Sequence, residues 1–582
     1  MRIRKGFAVI ITTILALSLF LAPYTNSKNS TIKENGTPPG WSDDINLSND
    51  PVHQDEGARI TVNGSNIHAV WLNNYNNVLY SKSINEGRTW SAPISLYCVG
   101  PNVDEQVING YNNSVHVAWS LAYSVLYRHS IDNGNTWSSI KLISNDSSAL
   151  AMIPRMFVNQ SNVHMIWDDY RNGDGEIYYR RSLDGGMTFD NGQGLDQDRR
   201  ITYSPSTVSE IQISGDKSNI SVVWADERNG YMNWDIYWMI SKDNGYTWED
   251  GLGNVNSDRR LTTTGADEAA IAMKGSNIYI AYIDPAPGPV YSLNFIYSTD
   301  SGINWAVPQL LSGPVSVMGH PDIAIDGDNI SIVWQDRRDD EIHEQLYYKN
   351  STDAGLTWNS DLRMTYNLTR KSQGSDIKIV NGTTHIIWHD IFPGSNREVL
   401  YKRYPDFPPL PTFKIPVVAG WNLISTPLIP VSSALPSALL DNDGDTTWDR
   451  AQWYDPYDAG NHWKQFNSGW NFSLNDLSGF NASMGIWVNI TSVGDGFLNL
   501  SGEIPTSISI LLRTGWNMVG YPSLNNSTTV GVALWGTGAT IVEVFDVNTT
   551  YRTKVVGPNY VMRPGEGYWV YVPADTVWTV DW

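Results

Sequence analysis

The stretch Ser130-Ile-Asp-Asn-Gly-Asn-Thr-Trp137 decides the fold of this chain, because five further variants of it occur along the sequence. A short Asp or Asn side chain can fold back onto the backbone N–H groups of a turn, and glycine supplies the positive φ such turns need. The terminal aromatic ring requires an apolar slot. We call each copy a box. The residues at the Asp position of the six boxes are Asn85, Asp132, Asp184, Asp243, Asp300 and Asp353.

The boxes recur about every 50 residues, which is the length of one propeller blade. Three strand-like runs precede each box; in the third unit they cover residues 152–158, 162–167 and 176–181. A fourth run follows the box, as in Trp90-Ser-Ala-Pro-Ile-Ser-Leu96. Alternating apolar residues bounded by Asn and Gly turns predict an antiparallel four-stranded sheet for each unit.

A seventh unit has three strand-like runs, residues 376–380, 384–388 and 398–403, but no box and no fourth run. The segment Trp41-Ser-Asp-Asp-Ile-Asn-Leu47 has the same spacing as the fourth runs that follow Trp90 and Trp137. Pairing it with the seventh unit would close a ring and remove an exposed sheet edge. We therefore predict an all-β chain with a seven-bladed propeller over residues 41–404, closed by this N-terminal strand.

The boxes resemble the Asp-box repeats of the sialidase/BNR-repeat superfamily. This resemblance implies a β-propeller and raises the possibility of sialidase chemistry, in which three arginines bind the substrate carboxylate, a Glu-activated Tyr is the nucleophile and an Asp is the acid/base. Arg59 in Gly57-Ala-Arg-Ile-Thr61 lies where the family's Arg-Ile-Pro motif would fall, although the proline is absent. The family's enzymes have six blades, and the sequence assigns neither a third arginine nor a Tyr–Glu pair.

The first strand of each unit should face the central channel. Alignment of the units on their Asn-Gly and Asp-Gly turns brings five charged residues to nearly the same height: Arg59, Glu105, Arg155, Glu210 and Asp322. Asp376 lies one position off this level and Glu268 two positions before it, and all seven form a candidate channel mouth. Opposite charges could simply neutralise one another around a wet channel. Alternatively, Arg59 and Arg155 could bind a sugar or an acidic ligand while the carboxylates accept hydroxyl hydrogen bonds.

A second phrase, Trp-x-Asp-x-Arg, ends the second strand of three units, at Trp167–Arg171, Trp224–Arg228 and Trp334–Arg338. The same three units carry Arg-x-Thr after the box. Because the two phrases occur together in the same three units, we predict that they form a polar brace inside the blade. A ligand site is the alternative, and it is disfavoured because catalysis requires asymmetric placement whereas this pattern repeats.

After a Pro-rich linker at 405–412, two copies of a different repeat predict a duplicated β-rich region, residues 413–505 and 506–582. Ala419-Gly-Trp-Asn-Leu423 returns as Thr514-Gly-Trp-Asn-Met518, and Met484-Gly-Ile-Trp-Val488 as Glu566-Gly-Tyr-Trp-Val570. The modules resemble those of archaeal and other prokaryotic surface proteins. Most of their aromatic residues should form cores, and a few could form a sugar-stacking or protein-docking face.

Acidic residues alternate in the first copy, at Asp441, Asp443, Asp445 and Asp449. Alternation lets several oxygens converge on one hard cation, so these residues are candidate Ca²⁺ ligands. The loop departs from an EF-hand, because glycine is at its fourth position and no Glu is at its twelfth. A solvated acidic loop is the alternative.

Charge and cysteine content limit the function. The net charge of −21 disfavours nucleic acid as a partner, and the single cysteine, Cys98, excludes an intramolecular disulfide. A basic start and the apolar run 6–21 predict a signal peptide over residues 1–27, or an N-terminal anchor, followed by a flexible segment at 28–40. No second apolar stretch is long enough to span a bilayer. The nineteen Asn-x-Ser/Thr sites suit an exported glycoprotein.

Together these features predict a secreted or cell-surface protein that binds an extracellular glycan or a surface protein at the top face of the propeller, without catalysis. The alternative is a sialidase-like glycoside hydrolase (an exo-sialidase) with accessory C-terminal modules. A purely scaffolding role is a third possibility. Apart from Ca²⁺, no cofactor is expected.

Overall fold

The computed structural model describes residues 31–32, 37–50, 52–98, 103–144, 149–230, 233–286, 290–315, 318–339, 342–367, 369–392, 396–430, 435, 438–439, 446–470, 474–494, 496–505 and 507–581. The chain divides into two compact units, Met1–Phe407 and Pro408–Trp582. The predicted signal peptide lies outside the described residues. Within the described ranges, no helix has the length and apolar character needed to cross a membrane.

The described residues of the first unit form seven antiparallel sheets, numbered one to seven here. Two N-terminal strands, β1 (Thr31–Ile32) and β2 (Asp44–Asn46), belong to sheet seven. Sheets one to three contain, in order, β3 (Asp55–Asn63), β4 (Asn66–Asn73), β5 (Asn77–Ser83), β6 (Ile94–Tyr97); β7 (Val103–Tyr111), β8 (Ser114–Leu121), β9 (Ser124–Ser130), β10 (Lys141–Leu142); β11 (Ala151–Asn159), β12 (Asn162–Asp169), β13 (Glu176–Ser182), β14 (Arg199–Arg200).

The remaining sheets repeat this plan. They contain, in order, β15 (Val208–Asp216), β16 (Asn219–Asp226), β17 (Asp235–Ser241), β18 (Arg259–Arg260); β19 (Asp267–Lys274), β20 (Asn277–Ala286), β21 (Val290–Ser298), β22 (Gln309–Val315); β23 (Met318–Asp326), β24 (Asn329–Asp336), β25 (Gln345–Ser351), β26 (Leu362–Arg363); and β27 (Lys371–Val380), β28 (Thr383–Ile391), β29 (Arg397–Tyr404) with β2 and β1.

The first strand of each sheet contacts that of the next, and β27 contacts β3, so these inner strands form a closed ring. Strands β12, β13, β16 and β17 are buried along nearly their whole length, because neighbouring sheets pack on both of their faces. One core cluster, for example, joins Val70 and Tyr80 of sheet one to Val117 and Trp119 of sheet two. The prediction of an all-β chain is confirmed. Among the described residues, six sheets of the ring have four strands and sheet seven has five, and such a ring is the arrangement of a β-propeller.

The N-terminal segment is part of the ring. Strand β2 pairs with β29 through Ile45 opposite Tyr401 and Asn46 opposite Leu400. Asp44 of β2 forms an ion pair with Lys402 of β29 at 2.8 Å, and both side chains are only 2% exposed. Strand β1 then pairs with β2, so the segment 28–40, which we expected to be flexible, contains a strand at the outer edge of sheet seven.

The box is a closed turn. In the second copy, Ser130 Oγ donates a hydrogen bond to Asp132 Oδ1 at 2.7 Å, and Gly134 N donates to Ser130 Oγ at 2.8 Å. Thr136 donates to Asp132 through its hydroxyl at 2.6 Å and its backbone N–H at 2.8 Å. These bonds from Thr136, together with that from Ser130, lower the pKa of Asp132 to about 2. The box carboxylate is therefore saturated by its own turn.

Each box also joins two sheets. Its aromatic ring packs edge-on against an aromatic residue on the third strand of the preceding sheet, with ring centroids 4.9–5.2 Å apart. Trp41, which has no box, makes this contact for sheet seven. The seven pairs are Trp90–Tyr401, Trp137–Tyr80, Phe189–Tyr127, Trp248–Tyr179, Trp305–Trp238, Trp358–Phe295 and Trp41–Tyr348.

The described residues of the second unit form four sheets and one helix. The first copy of the repeat forms β30 (Thr412–Pro416), β31 (Gly420–Ile424), β32 (Ile429–Pro430), β33 (Thr447–Tyr454), β34 (Trp463–Asn467), β35 (Ile486–Ser492) and β36 (Phe497–Glu503). The second copy forms β37 (Ser507–Leu512), β38 (Gly515–Gly520), α1 (Val530–Ala533), β39 (Ile541–Phe545), β40 (Thr553–Val556), β41 (Gly567–Val572) and β42 (Thr576–Asp581).

The two copies are related by a local two-fold arrangement. Their main sheets have the equivalent orders β31-β35-β33-β34 and β38-β41-β39-β40. Isolated bridges join Ile424 to Glu566 and Met484 to Val519, which are the same two positions exchanged between copies. A Cβ on Gly485 would approach Val519 O to 2.5 Å, and one on Gly567 would approach Ile424 O to 2.8 Å. The repeated glycine therefore permits close backbone approach between the copies.

Candidate functional site

The inner strands of the first unit enclose a cavity of about 640 Å³. Its ionisable lining comprises seven carboxylates and three fixed cations, together with two histidines. These residues are Glu56, Arg59, Asp104, Glu105, Arg155, Glu210, Glu268, His320, Asp322, Asp376, Lys378 and His389. All seven residues of the predicted channel mouth line this one cavity.

A β-bulge in every inner strand shapes the lining, since the register shifts once in each. Six of the bulges contain a residue with left-handed φ: Gly57 (65°), Ile153 (51°), Glu210 (50°), Glu268 (46°), His320 (49°) and Gly374 (63°). This conformation is a genuine outlier for a β-branched residue such as Ile153. Bulges turn a side chain away from the regular alternation of a strand, so they direct polar groups toward the cavity.

The bulges separate the predicted residues into two tiers, where the sequence alignment had placed five of the seven at nearly one height. Glu105, Glu210 and Glu268 belong to the bulges themselves. Arg59, Arg155, Asp322 and Asp376 are the first residues to resume strand pairing after the bulge. The extra residue of a bulge cannot be read from apolar alternation, which explains the difference.

Both arginines of the cavity lie against the same carboxylate. Arg155 Nη1 is 3.3 Å from Glu105 Oε2, and Arg59 Nη2 is 3.8 Å from the same oxygen. Burial raises the pKa of Glu105, but the Arg155 and Arg59 guanidiniums outweigh this and hold it below its usual value. Glu105 is therefore ionised and neutralises part of the positive charge of the pair.

Two of the predicted carboxylates join neighbouring inner strands. Asp322 Oδ2 accepts a hydrogen bond from Ile377 N of the next strand at 2.8 Å. Asp376 Oδ2 accepts one from Ile60 N, again on the next strand, at 2.8 Å, and its other oxygen pairs with Lys378. Glu268 bonds to the backbone N–H of His320 in the same manner. These contacts join the inner strands of the ring, so the three carboxylates have a structural role whether or not they also bind a ligand.

Glu210 differs from Glu105 in the direction of its pKa shift. Burial and the nearby charge of Glu268 raise its pKa, while Arg155 opposes the shift. Burial likewise raises the pKa of the adjacent Asp267 to about 6, with Glu268 and Glu210 adding to the effect. Carboxylates are therefore concentrated around Glu210 and Asp267, and the pKa values of these two groups are raised.

Sequence reasoning missed several lining residues, among them Gln106, His320 and Lys378. The Gln106 side chain donates to Gly57 O of the preceding inner strand. His320 occupies the bulge position of its strand, and its ring lies 3.8 Å from Glu268 Oε2. Comparison of whole bulges, instead of one aligned column, would have identified His320 as the counterpart of Glu210.

The described residues that line the cavity do not bring together the groups expected of a sialidase. Among the described lining residues, Arg59 and Arg155 are the arginines and Tyr75 is the tyrosine. Tyr75 Oη accepts a hydrogen bond from Arg397 Nη1 at 3.3 Å, and Arg397 also pairs with Glu56. An arginine thus lies between the tyrosine and the glutamate.

The Trp-x-Asp-x-Arg phrase forms a brace within its sheet. Trp167 Nε1 donates to Asp169 Oδ2 at 3.0 Å, and the Arg171 guanidinium bonds to both Asp169 and Asp198. The guanidinium also covers the Tyr178 ring at 4.1 Å from its centroid. Arg228 over Tyr237 and Arg338 over Tyr347 repeat the arrangement at 4.1 and 4.4 Å. These internal contacts account for the phrase without a ligand.

The predicted Ca²⁺ ligands Asp441, Asp443 and Asp445 lie outside the described residues. The fourth, Asp449, accepts a hydrogen bond from Asn489 Nδ2 at 2.7 Å, and its other oxygen is 3.3 Å from Arg450 Nε. Within the described part of the chain, no group of three His, Cys, Asp or Glu side chains is arranged to hold a metal ion. Calcium binding stays a prediction.

No protein-family model matches this chain, and no curated protein matches its sequence. Solved structures with a similar fold include a PL25 ulvan lyase, a polysaccharide lyase, at 9% identity and a TM-score of 0.45, covering 63% of this chain and 94% of the lyase. A GH93 α-L-arabinofuranosidase of Fusarium graminearum has 12% identity and a TM-score of 0.37, covering 51% and 93%. A Hadza microbial sialidase has 14% identity and a TM-score of 0.34, covering 48% and 63%. These likenesses concern fold alone.

Proposed function

We propose that this protein binds a neutral, hydroxyl-rich glycan in the central cavity of its first unit and does not transform it. One observation carries the proposal: both cavity arginines converge on Glu105, inside a lining that has more carboxylates than fixed cations. The volume of about 640 Å³ is within the range of small-ligand sites.

Charge favours a neutral ligand over an acidic one. A ligand carboxylate would have to compete with Glu105 for Arg59 and Arg155 while it faced Glu210 and Glu268. A sugar hydroxyl can instead donate to a carboxylate and accept from a guanidinium, and bonds to charged groups are the stronger ones. The cavity therefore suits hydroxyl groups better than sialic acid.

A glycoside hydrolase is the second candidate, supported by Glu210. A carboxyl group whose pKa is raised by burial and by a neighbouring carboxylate is typical of acid/base sites, and burial together with the charge of Glu268 raises the pKa of Glu210 in this way. A carboxyl group with a raised pKa is suited to protonate a leaving group. Against this, Glu268 accepts a hydrogen bond from the backbone N–H of His320, which gives it a structural role between two inner strands.

Binding to a panel of neutral and sialylated oligosaccharides, measured by titration calorimetry with the full chain, tests the proposal. Arg155→Gln should weaken binding of a neutral glycan at least tenfold, because a hydrogen bond to a charged group contributes about 1.5–3 kcal/mol. Lys274→Gln, at an exposed position on β19, is the matched control and should leave affinity unchanged.

Turnover assays on the same protein separate the two candidates. A fluorogenic sialoside and a set of aryl glycosides should remain intact. Hydrolysis that is lost in Glu210→Gln would replace the binding proposal with the hydrolase. Preference for sialylated over neutral glycans would contradict the charge reasoning.

We further propose that the protein is exported and acts at the cell surface or beyond it. The support is the basic and apolar N-terminal sequence and the nineteen glycosylation sequons. Cell fractionation with N-terminal sequencing of the native protein tests this, and an unprocessed chain in the cytoplasmic fraction would contradict it.

A further inference from the structure

The second unit contains a cluster of aromatic rings that its own local symmetry leaves unexplained. Trp463, Tyr454, Trp569, Trp516 and Tyr571 form a continuous series, with successive ring centroids 5.3–6.1 Å apart. Trp463 is 46% exposed, and the other four are half-buried. We call these five residues the aromatic platform.

Strand pairing shows which residues correspond in the two copies. Gln452 lies opposite Trp487 in the first copy, as Glu543 lies opposite Trp569 in the second. Tyr454 thus corresponds to Phe545. Each of these rings packs on the tryptophan of the other copy, Tyr454 on Trp569 at 5.3 Å and Phe545 on Trp487 at 6.3 Å. Each side of the local symmetry thus has one ring pair that crosses between the copies.

The side with the Tyr454–Trp569 pair carries two further aromatic rings, Trp463 and Tyr571, that the other side lacks. Trp463 is the partner of Tyr454 across its hairpin, whereas Thr553 is the partner of Phe545. Tyr571 follows Trp569 by two residues, whereas Asn489 follows Trp487. Packing between the copies is therefore achieved with Thr and Asn on one side, and the extra aromatic rings on the other serve something else.

Polar side chains flank the platform on the same faces of its strands. Gln452 and Gln465 are directly paired across the hairpin, one alternation away from Tyr454 and Trp463. Glu543 is paired with Trp569. None of these three side chains makes a hydrogen bond to another described residue. A half-exposed aromatic surface with unused hydrogen-bonding groups beside it is the combination found in sites that orient an amphipathic ligand.

We propose that the aromatic platform binds a neutral hexopyranose chain, whose C–H faces stack on the rings while its hydroxyls bond to Gln452, Gln465 and Glu543. The chain charge of −21 and the carboxylate of Glu543 disfavour anionic polymers and anionic membranes. The amide and carboxylate groups disfavour a purely apolar occupant, since burying them unbonded would cost free energy. This site is separate from the central cavity and does not depend on it.

The full chain carrying Trp463→Thr and Tyr571→Asn tests the proposal. These substitutions install the residues that the other copy already uses, so the fold should be retained, as an unchanged urea midpoint for the second unit would verify. The probes are cellohexaose, laminarihexaose and mannohexaose, followed by calorimetry and by tryptophan fluorescence. Both proteins also carry Arg155→Gln, so that binding in the central cavity is weakened equally and the two proposals fail separately.

At least one hexaose should bind the parent protein, and the double substitution should weaken that binding at least tenfold. Thr553→Ala, on the other side of the local symmetry, should leave it unchanged. The proposal is overturned if no hexaose binds at millimolar concentration, or if the double variant binds as the parent does. It is also overturned if phosphatidylcholine vesicles bind the platform and the hexaoses do not.

Discussion

The box glycines show how a single residue can set the distance between two sheets. Gly134 has φ 73°, and a Cβ there would overlap the hydroxyl of Tyr80 in the preceding sheet. That hydroxyl is 2.7 Å from His68 Nδ1, so it cannot withdraw without breaking a buried hydrogen bond. Gly185 has the same φ, 73°, but nothing lies within 4 Å of its Cβ position. Substitution of these two glycines therefore distinguishes the cost of backbone strain from the cost of steric overlap.

Gly134→Ala is therefore expected to lower the free energy of unfolding by about 2–4 kcal/mol, the sum of left-handed strain and overpacking. Gly185→Ala, as the control, should cost about 1 kcal/mol because only the strain applies. Urea unfolding followed by tryptophan fluorescence measures both. Equal losses in the two variants would show that contact between box and preceding sheet is loose.

Residues that interact within a few positions were the most predictable from sequence. The bonds among Ser130, Asp132, Gly134 and Thr136 span at most four residues, so the chemistry of the phrase was enough to indicate a turn. The contact of Trp137 with Tyr80 joins two neighbouring sheets, and no local sequence pattern revealed it. The sequence indicated that the ring needs a slot but not which slot it fills.

Strand β2 shows that one short element can connect the two ends of the ring. Its spacing from Trp41 was enough to indicate the pairing, because the fourth strands after Trp90 and Trp137 provided the template. The inner-strand bulges had no such template. Ile153 adopts a conformation that its side chain disfavours, so no propensity could have placed a bulge there. This is why the sequence brought the seven residues together at one cavity but did not give their heights along it.

The ion pair of Asp44 and Lys402 makes the closure of the ring testable. Asp44→Ala leaves the Lys402 ammonium buried, with Met364 O at 2.9 Å as a remaining hydrogen-bond acceptor. We expect a loss of about 3–5 kcal/mol in the free energy of unfolding, as is usual when one partner of a buried pair is removed.

The double variant Asp44→Ala, Lys402→Met should recover most of that loss, because it removes the charge along with its partner. Lys242→Ala, which breaks an ion pair in which Lys242 is 41% exposed, is the control and should cost at most about 1 kcal/mol. Thermal unfolding monitored by circular dichroism provides the comparison. A loss in Asp44→Ala no larger than in Lys242→Ala would mean that β2 does not secure the ring.

Across the complete protein, the ring and the second unit differ in how they use histidine. In sheets one, two, three and seven, a buried histidine Nδ1 lies 2.6–2.8 Å from a tyrosine hydroxyl that supports the next box. Burial lowers the pKa of His68 to about 4 and of His116, His164 and His385 to about 3. The second unit contains a single histidine, His462. Acid should therefore affect the ring first.

The direction in which stability changes with pH follows from the lowered pKa values of these histidines. The unfolded histidines bind protons below about pH 6.5, whereas the folded ones do not until about pH 3–4, so stability present above pH 6.5 is lost as the pH falls through that interval. Each histidine can cost the ring up to about 3 kcal/mol at pH 4. Asp55 and Asp168, whose pKa values burial raises to about 7, change stability in the opposite direction, so a variant comparison is needed.

Sheet six provides that variant, because Ser331 there takes the place of the histidine and lies 2.7 Å from the Tyr348 hydroxyl. His164→Ser should lower stability at pH 7.5 through lost packing, yet its urea midpoint should fall less steeply than that of the parent between pH 6.5 and 4. The unfolding transition of the second unit, which lacks these buried histidines, should stay parallel in both proteins over this interval. Equal slopes for the ring in the two proteins would show that His164 is protonated in the folded state, and that the coupling between box and sheet does not depend on its neutrality.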